Sequence, residues 1–406
     1  MGIIDLFRCI DFWVGIPLCL LLSPVAYLRR WWLRFFARSP AVPKKILVIK
    51  LAELGAVVQA YPFFKKIEEE YPQAKIYVLT FAKNMEIFEL FDGFMKDKEV
   101  ITISEEGVIP MVKDIGRVLW KLLFLKIDVT IDLEFFARAS SLMTFFSWAR
   151  KTVGFYAYGY EGLYRGNFLT HKVAYNPLKH VTINYLSLAA AIRLAVKDSP
   201  EVERTIDSAA ISFPVYRSRE DVRVSLSPLE IPSDKRIFLM NAGEGNIPLR
   251  EWPIENFKQT AQAILKDESH VLLLVGTSGA RGKAEQLMAD LKHKRMRNYC
   301  GQTSLKQLME IFLMSHALIV NDGGLGHLAI LTPIRKYVLF GPESPQIFAP
   351  LSSSTKVFYS HWPCSPCLSA FNHRKSACRD NLCLKAIKVN DIVEEIRKGI
   401  QEGDHG

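Results

Sequence analysis

In residues 317–329 an apolar run ends in Asn321-Asp322-Gly323-Gly324 and gives way to an apolar helical pattern that carries His327. Glycine lets a turn bring its backbone N–H groups against a ligand. Together with the positive end of a following helix, those groups make an anion cradle suited to a diphosphate. Asp322 is a poor phosphate ligand and suits a sugar hydroxyl instead. The same residues are also ordinary chemistry for any strand-turn-helix junction, and His327 can equally be a core or capping histidine. Further upstream, Arg250-Glu251-Trp252-Pro253 supplies a guanidinium whose planar fork can hold two phosphate oxygens, or pair with Glu251 or Glu255. In the amino-terminal half, a strand-like stretch ends at Lys50 and Glu53 follows it. A glutamate there can take the proton from an attacking hydroxyl or cap the next helix. Lys50 can neutralise an anionic acceptor or pair with Glu53.

Four of the seven cysteines crowd into one segment, as Cys364-Ser-Pro-Cys367, Cys378 and Cys383. Four thiolates can close tetrahedrally on structural zinc, with His361 and His373 as substitutes. Iron–sulfur ligation, free thiols and disulfides are the other readings of this spacing. Seven cysteines are few for a disulfide-built secreted fold, which favours a reducing compartment.

These groups need elements to hold them. After Pro40 and Pro43, short β-branched runs at 45–50, 75–80, 99–103 and 127–133 alternate with helical stretches at 57–70, 108–126 and 135–150. Continuous apolar strands of this kind belong to a parallel sheet covered on both faces. Periodicity weakens between Pro200 and Ser233, then a second series follows with strands at 236–242, 270–275, 317–321 and 336–340. The expected organisation is a membrane hairpin or anchor at 1–40, an α/β domain at 44–215 and a linker at 216–234. A second α/β domain at 235–390 carries the cysteine cluster, and a helix and tail occupy 391–406. Two doubly wound domains of this sort place ligands at the carboxyl ends of their strands, in a cleft where they face each other.

The chain has 406 residues, 49% of them apolar, and a formal charge of +10. Such an excess fits nucleic acid, anionic lipid or phosphorylated substrates. Its location favours a membrane, because Arg29, Arg30, Arg34 and Arg38 are interleaved with Trp31, Trp32, Phe35 and Phe36. No nucleic-acid partner is expected. Phe12 to Tyr27 carries no charge and sits at the lower limit for spanning a bilayer, with Pro17 and Ser23-Pro24 inside it. Arg8, Asp11 and Ser23-Pro24 together resemble the re-entrant hairpin of monotopic phosphoglycosyl transferases, with a helix bent back at Ser23-Pro24. A single transmembrane anchor and an export signal are the alternatives. The first two leave the rest of the chain on the cytoplasmic side by the positive-inside rule.

Four stretches in one order carry a wider resemblance: 51–62 (LAELGAVVQAYP), 250–253, 317–329 and Phe340-Gly341-Pro342-Glu343. Together they resemble the bacterial heptosyltransferases of lipopolysaccharide core assembly, glycosyltransferase family 9, over about 44–390. The resemblance implies a two-domain GT-B fold of Rossmann-like units. Its carboxy-terminal domain would bind a nucleotide-sugar through Gly243, Arg250, Asp322, Gly323, Gly324 and His327. It implies inverting transfer of a heptose-like sugar, no catalytic cofactor, and a lipid-linked or lipopolysaccharide-type acceptor at the cytoplasmic face of the inner membrane. Two departures stand out. The family's catalytic aspartate position is Ala56, which leaves Glu53 as the nearby carboxylate. No acidic residue occupies 275–280, where the family contacts the nucleoside. A catalytically inactive scaffold or sugar-nucleotide binder is therefore the second reading. A sugar-nucleotide epimerase, which lacks a suitable carboxylate pair here, is a third.

Overall fold

The computed structural model describes residues 9–36, 42–91, 98–157, 162–194, 206, 211–231, 234–243 and 247–403. Arg8, Arg38, Pro40, Pro200 and Ser233, named above, lie outside them. The chain divides into two compact units, Met1–Ser212 and Phe213–Gly406.

Each unit is built on one six-stranded, wholly parallel sheet. In the first, β1 (Lys45–Ile49), β2 (Lys75–Phe81), β3 (Lys98–Ile103), β4 (Val129–Asp132), β5 (Lys151–Tyr156) and β6 (His171–Ala174) lie in the order β3-β2-β1-β4-β5-β6. The second comprises β7 (Arg236–Asn241), β8 (His270–Leu274), β9 (Met296–Asn298), β10 (Ala317–Asn321), β11 (Arg335–Phe340) and β12 (Thr355–Tyr359). Its order is β12-β11-β10-β7-β8-β9. Counted within its own unit, each is the 3-2-1-4-5-6 arrangement, in which connections run in opposite senses on either side of the first and fourth strands. Those pairs, β1 with β4 and β7 with β10, are where loops diverge and leave a crevice.

The central strands are buried along their length, as β8 and β10 are at every position, which is why they read as unbroken apolar runs. β5, β6, β9 and β12 were not foreseen. β6, β9 and β12 are edge or short strands, and β6 alternates buried and less buried positions around His171 and Val173. The expected helix at 57–70 is two helices, Leu54–Gln59 and Tyr61–Glu70. Pro62 opens the second, where a missing N–H costs nothing.

At the amino end, helix Gly15–Phe36 runs uninterrupted through Pro24. No break in the helix occurs at Ser23-Pro24. Ser23 Oγ donates to Cys19 O at 2.6 Å, so the side chain supplies a bond inside the turn where proline has no N–H to give. The stretch expected as a linker also carries structure: helix Glu220–Val224 lies within it. Tyr216 Oη and Ser218 Oγ donate to the buried Glu310 carboxylate at 2.9 and 2.7 Å, which fastens it to the second unit.

Candidate functional site

In the second unit, the loop after β7 and the turn after β10 meet over the β7/β10 crevice. Asn321, the last residue of β10, accepts from Trp252 N at 2.9 Å and so locks the Arg250-to-Pro253 segment to the Asp322 turn. Trp252 is 1% exposed and packs edge-on against Phe257, which seats this segment in the core. Arg250 Nε then lies 3.6 Å from Asp322 Oδ2, while its Nη2 bonds Glu343. Glu343 is 1% exposed and also takes Arg374 Nε at 3.1 Å. The expected partners Glu251 and Glu255 do not hold Arg250. Glu251 instead pairs with Lys283, whose stem fills the space that a side chain at Gly243 would need. Four segments far apart in sequence thus contribute two acids and two arginines to one place.

The turn itself departs from expectation in one respect. Gly323 is fully extended, a conformation open to any residue, and the helix that follows, Gly324–Leu328, is five residues long. It offers turn N–H groups but little of a macrodipole, so the positive charge here is chiefly that of Arg250 and Arg374. His327 is buried on that short helix, at 7% exposure.

The cysteine segment buttresses the same site. Cys367 N and Leu368 N both donate to Pro342 O at 2.9 Å, and Ser365 Oγ bonds Gly341 O, beside Glu343. Asn381 Nδ2 donates to Leu249 O and Glu251 O at 3.2 and 2.7 Å, on either side of Arg250. All four cysteines are free thiols. Burial raises the Cys383 thiol, and a backbone hydrogen bond at Leu384 opposes the shift. Among the described residues, no three His, Cys, Asp or Glu side chains close on a common metal position. Cys378 Sγ donates to Asp380 O and Cys367 Sγ accepts from Ser376 Oγ, so these thiols are directed to protein partners.

In the first unit the corresponding crevice lies between β1 and β4, and a residue that sequence reasoning passed over organises it. Glu134, just beyond β4, takes Lys50 Nζ at 2.8 Å, Leu51 N at 2.7 Å and Ala52 N at 3.1 Å, all on Oε1. Lys50 is 2% exposed and pairs with Glu134, not with Glu53. Asp132, at 0% exposure, receives Ser140 Oγ at 2.9 Å and the Arg165 guanidinium; burial pulls Arg165 down to about 10. The clue in sequence was the Asp132-Leu133-Glu134 pattern at the end of an apolar strand. Glu53 itself is exposed, with φ of 64°, and makes no capping bond to the helix it precedes. A non-glycine residue at positive φ is strained, by about 1 kcal/mol or more, and is kept only where surroundings impose it. Here Asn84 Nδ2 on Leu51 O at 2.8 Å and the Glu134 bonds impose it. Ala56 is buried in the first turn of that helix.

Residues 119–377, well over half of the chain, match glycosyltransferase family 9 (heptosyltransferase). The chain belongs to that family. Lipooligosaccharide heptosyltransferase 2 of Campylobacter jejuni is 26% identical over 180 residues, covering 42% of this chain and 54% of the relative. The chain thus spans about half the length of the curated relatives it matches. Among solved structures, Escherichia coli ADP-heptose lipopolysaccharide heptosyltransferase II superposes with a TM-score of 0.70 at 19% identity, over 89% of this chain and 99% of that one. A family 9 glycosyltransferase from Veillonella parvula gives 0.68 at 17% identity, over 88% and 97%. The expected GT-B class is the fold these family structures have.

Proposed function

We propose that the protein is an inverting glycosyltransferase that moves a heptose-like sugar from a nucleotide-sugar, ADP-heptose by family, to a lipid-linked or lipopolysaccharide-type acceptor at the cytoplasmic face of the inner membrane. The observation that carries this reading is the meeting of Arg250, Asp322 and Glu343 over the β7/β10 crevice. Glu343 and Asp322 hold the guanidinium in place over the crevice, where its positive charge suits the departing diphosphate. Asp322 is then the acceptor for a sugar hydroxyl, and Gly243, Gly323, Gly324 and His327 form the surrounding wall. In the reaction, an acceptor hydroxyl attacks the anomeric carbon, the bond to the donor phosphate breaks, and the nucleoside diphosphate leaves with the electron pair. The hydroxyl proton goes to Glu53. Glu53 is favoured over Glu134 because one Glu134 oxygen already accepts three hydrogen bonds and its charge is matched to Lys50. Lys50 therefore positions the loop and does not meet the acceptor.

No metal takes part in the step. Where zinc binds the four cysteines it stiffens the segment that braces Arg250 and Glu343. Metal analysis of protein purified without chelator reports this directly, with about one zinc per chain expected for a filled site. Ala56 supports the second reading, a binder without turnover.

Differential melting with ADP-heptose and other nucleotide-sugars tests the donor site. A ligand at one hundred times its dissociation constant stabilises by about 2.7 kcal/mol. Stabilisation by the nucleotide-sugar with release of nucleoside diphosphate supports transfer; stabilisation without release supports the binder; no stabilisation by any donor overturns both.

A further inference from the structure

The amino-terminal helix exposes much apolar surface, yet its inner face is fastened to the first unit from Asp11 to Arg30. Asp11 Oδ1 accepts from Arg138 N at 3.0 Å and Ala139 N at 2.8 Å, capping helix Arg138–Phe146 from outside, and Asp11 Oδ2 lies 3.2 Å from Arg138 Nη1. Cys19 and Ala26 are buried against Phe145 and Phe168. Ser23 Oγ takes Asn167 N at 3.0 Å, Arg30 Nη1 donates to Leu169 O at 3.0 Å, and Arg29 Nη2 to Ala149 O at 3.0 Å. With Gly15, which lies against the Arg138 side chain, these anchors recur every three or four residues, so one stripe of the helix faces protein from Asp11 to Arg30. A helix crossing a bilayer cannot keep that stripe on its own folded domain.

The opposite stripe is another matter. Trp13 is 73% exposed, Leu21 72% and Leu28 64%. A second helix, Val108–Leu125, also packs on Arg138–Phe146. It buries Val118 and Leu122 but leaves Ile109 82%, Val112 62%, Trp120 68% and Phe124 65% exposed, with Lys113, Arg117 and Lys121 among them. Where the first helix reaches the 148–150 turn there is a concavity of about 420 Å³ lined by Arg29, Trp32, Trp148 and Arg150. Arg29 lies 4.5 Å over the Trp148 ring. Burial and then Arg150 pull Arg29 down to about 10, so the two guanidiniums are close enough to repel, and a phosphate between them would relieve that repulsion.

We propose that this face of the first unit is an in-plane docking surface for an anionic phospholipid bilayer. The amino-terminal helix lies along the interface without crossing it, Trp120 and Phe124 insert beside it, and the Arg29/Arg150 concavity takes a lipid phosphate. Apolar stripes bordered by arginine, lysine and tryptophan match the interfacial layer, where rings sit at headgroup depth and basic groups meet lipid phosphate. The inference deepens the membrane side of the proposed function, and its test uses no turnover, so either can fail without the other.

The experiment adds the full chain, stripped of detergent, to preformed phosphatidylglycerol or phosphatidylcholine vesicles and follows flotation. Binding to phosphatidylglycerol is expected, weaker on phosphatidylcholine and weakened by salt. Trp120→Glu with Phe124→Glu should weaken it about tenfold or more. Arg150→Glu should weaken binding to the anionic vesicles alone, by about tenfold. Unchanged melting shows that the variants are folded; should the double variant melt early, Arg150→Glu carries the test. Peptide mapping after an impermeant maleimide should find the exposed Cys9 labelled from outside the vesicles. Cys9 protected until the vesicles are opened would overturn the proposal in favour of a spanning helix. Equal binding of all variants to both lipids would overturn it too. So would loss, in the double variant, of a stable dimer formed without lipid, which would assign the face to a second copy of the chain.

Discussion

The loops after β1 and after β10 occupy different positions in one topology repeated twice, and they are held in opposite ways. Around β10 the backbone is relaxed, and the specificity lies in side chains: Arg250, Asp322, Glu343 and Arg374 arrive from separate segments. Around β1 the side chains serve the backbone: Glu134 and Asn84 grip Leu51 and Ala52 so that Glu53 stands exposed at positive φ. One crevice is built to neutralise charge and the other to present a single carboxylate. Duplication of a fold therefore does not duplicate the chemistry, because only the strand order is shared.

The comparison breaks most sharply at Glu53. Glu53→Gln should lower turnover by about 10²–10⁴-fold with donor affinity kept, measured by steady-state rates beside melting shifts. Unchanged turnover would remove Glu53 as the base. Glu53→Gly should lose the same activity while raising stability by about 1 kcal/mol, since glycine takes positive φ without strain. On the other side, Arg250→Ala should lower kcat by about 10²–10³-fold. Arg250→Lys should restore little, because one ammonium cannot span Asp322, Glu343 and a diphosphate. Glu134→Gln should act on stability before chemistry, costing about 3 kcal/mol by leaving the buried Lys50 unmatched, read by denaturant unfolding. A further effect concerns acid. Burial, and then Lys151, hold His171 at about 4, against about 6.5 when unfolded. The unfolded chain then binds more protons between those values, so stability is full above pH 6.5 and falls towards pH 4, by roughly 3 kcal/mol at most. His171→Gln should flatten that slope in calorimetry of the first unit.

Much of the fold was legible because fully buried parallel strands such as β1, β8 and β10 announce themselves as apolar runs bounded by turns. β6 and β12 escaped because these edge strands bury few residues, alternate ones in β6 and Phe358 alone in β12, and so read like loop. In the second unit, Asp322 and Arg250 could be named because their motifs are local. Their meeting with Glu343 could not, since it depends on two β-α excursions folding back to one crevice. Glu134 escaped for the same reason: its partners lie 83 and 84 residues away. The amino-terminal helix was legible as apolar but not as docked, because Asp11 and Ser23-Pro24 read as a membrane-hairpin pattern until Arg138 and Asn167 come up against them.

That docking also sets a schedule. Asp11 must wait for Arg138, 127 residues later, and Ser23 for Asn167, 144 residues later. A ribosome adding 5–20 residues per second takes on the order of ten seconds to make that stretch, during which the first helix has no domain to lie on. Whatever receives it in that interval, a chaperone or the bilayer itself, meets the protein before its own fold does.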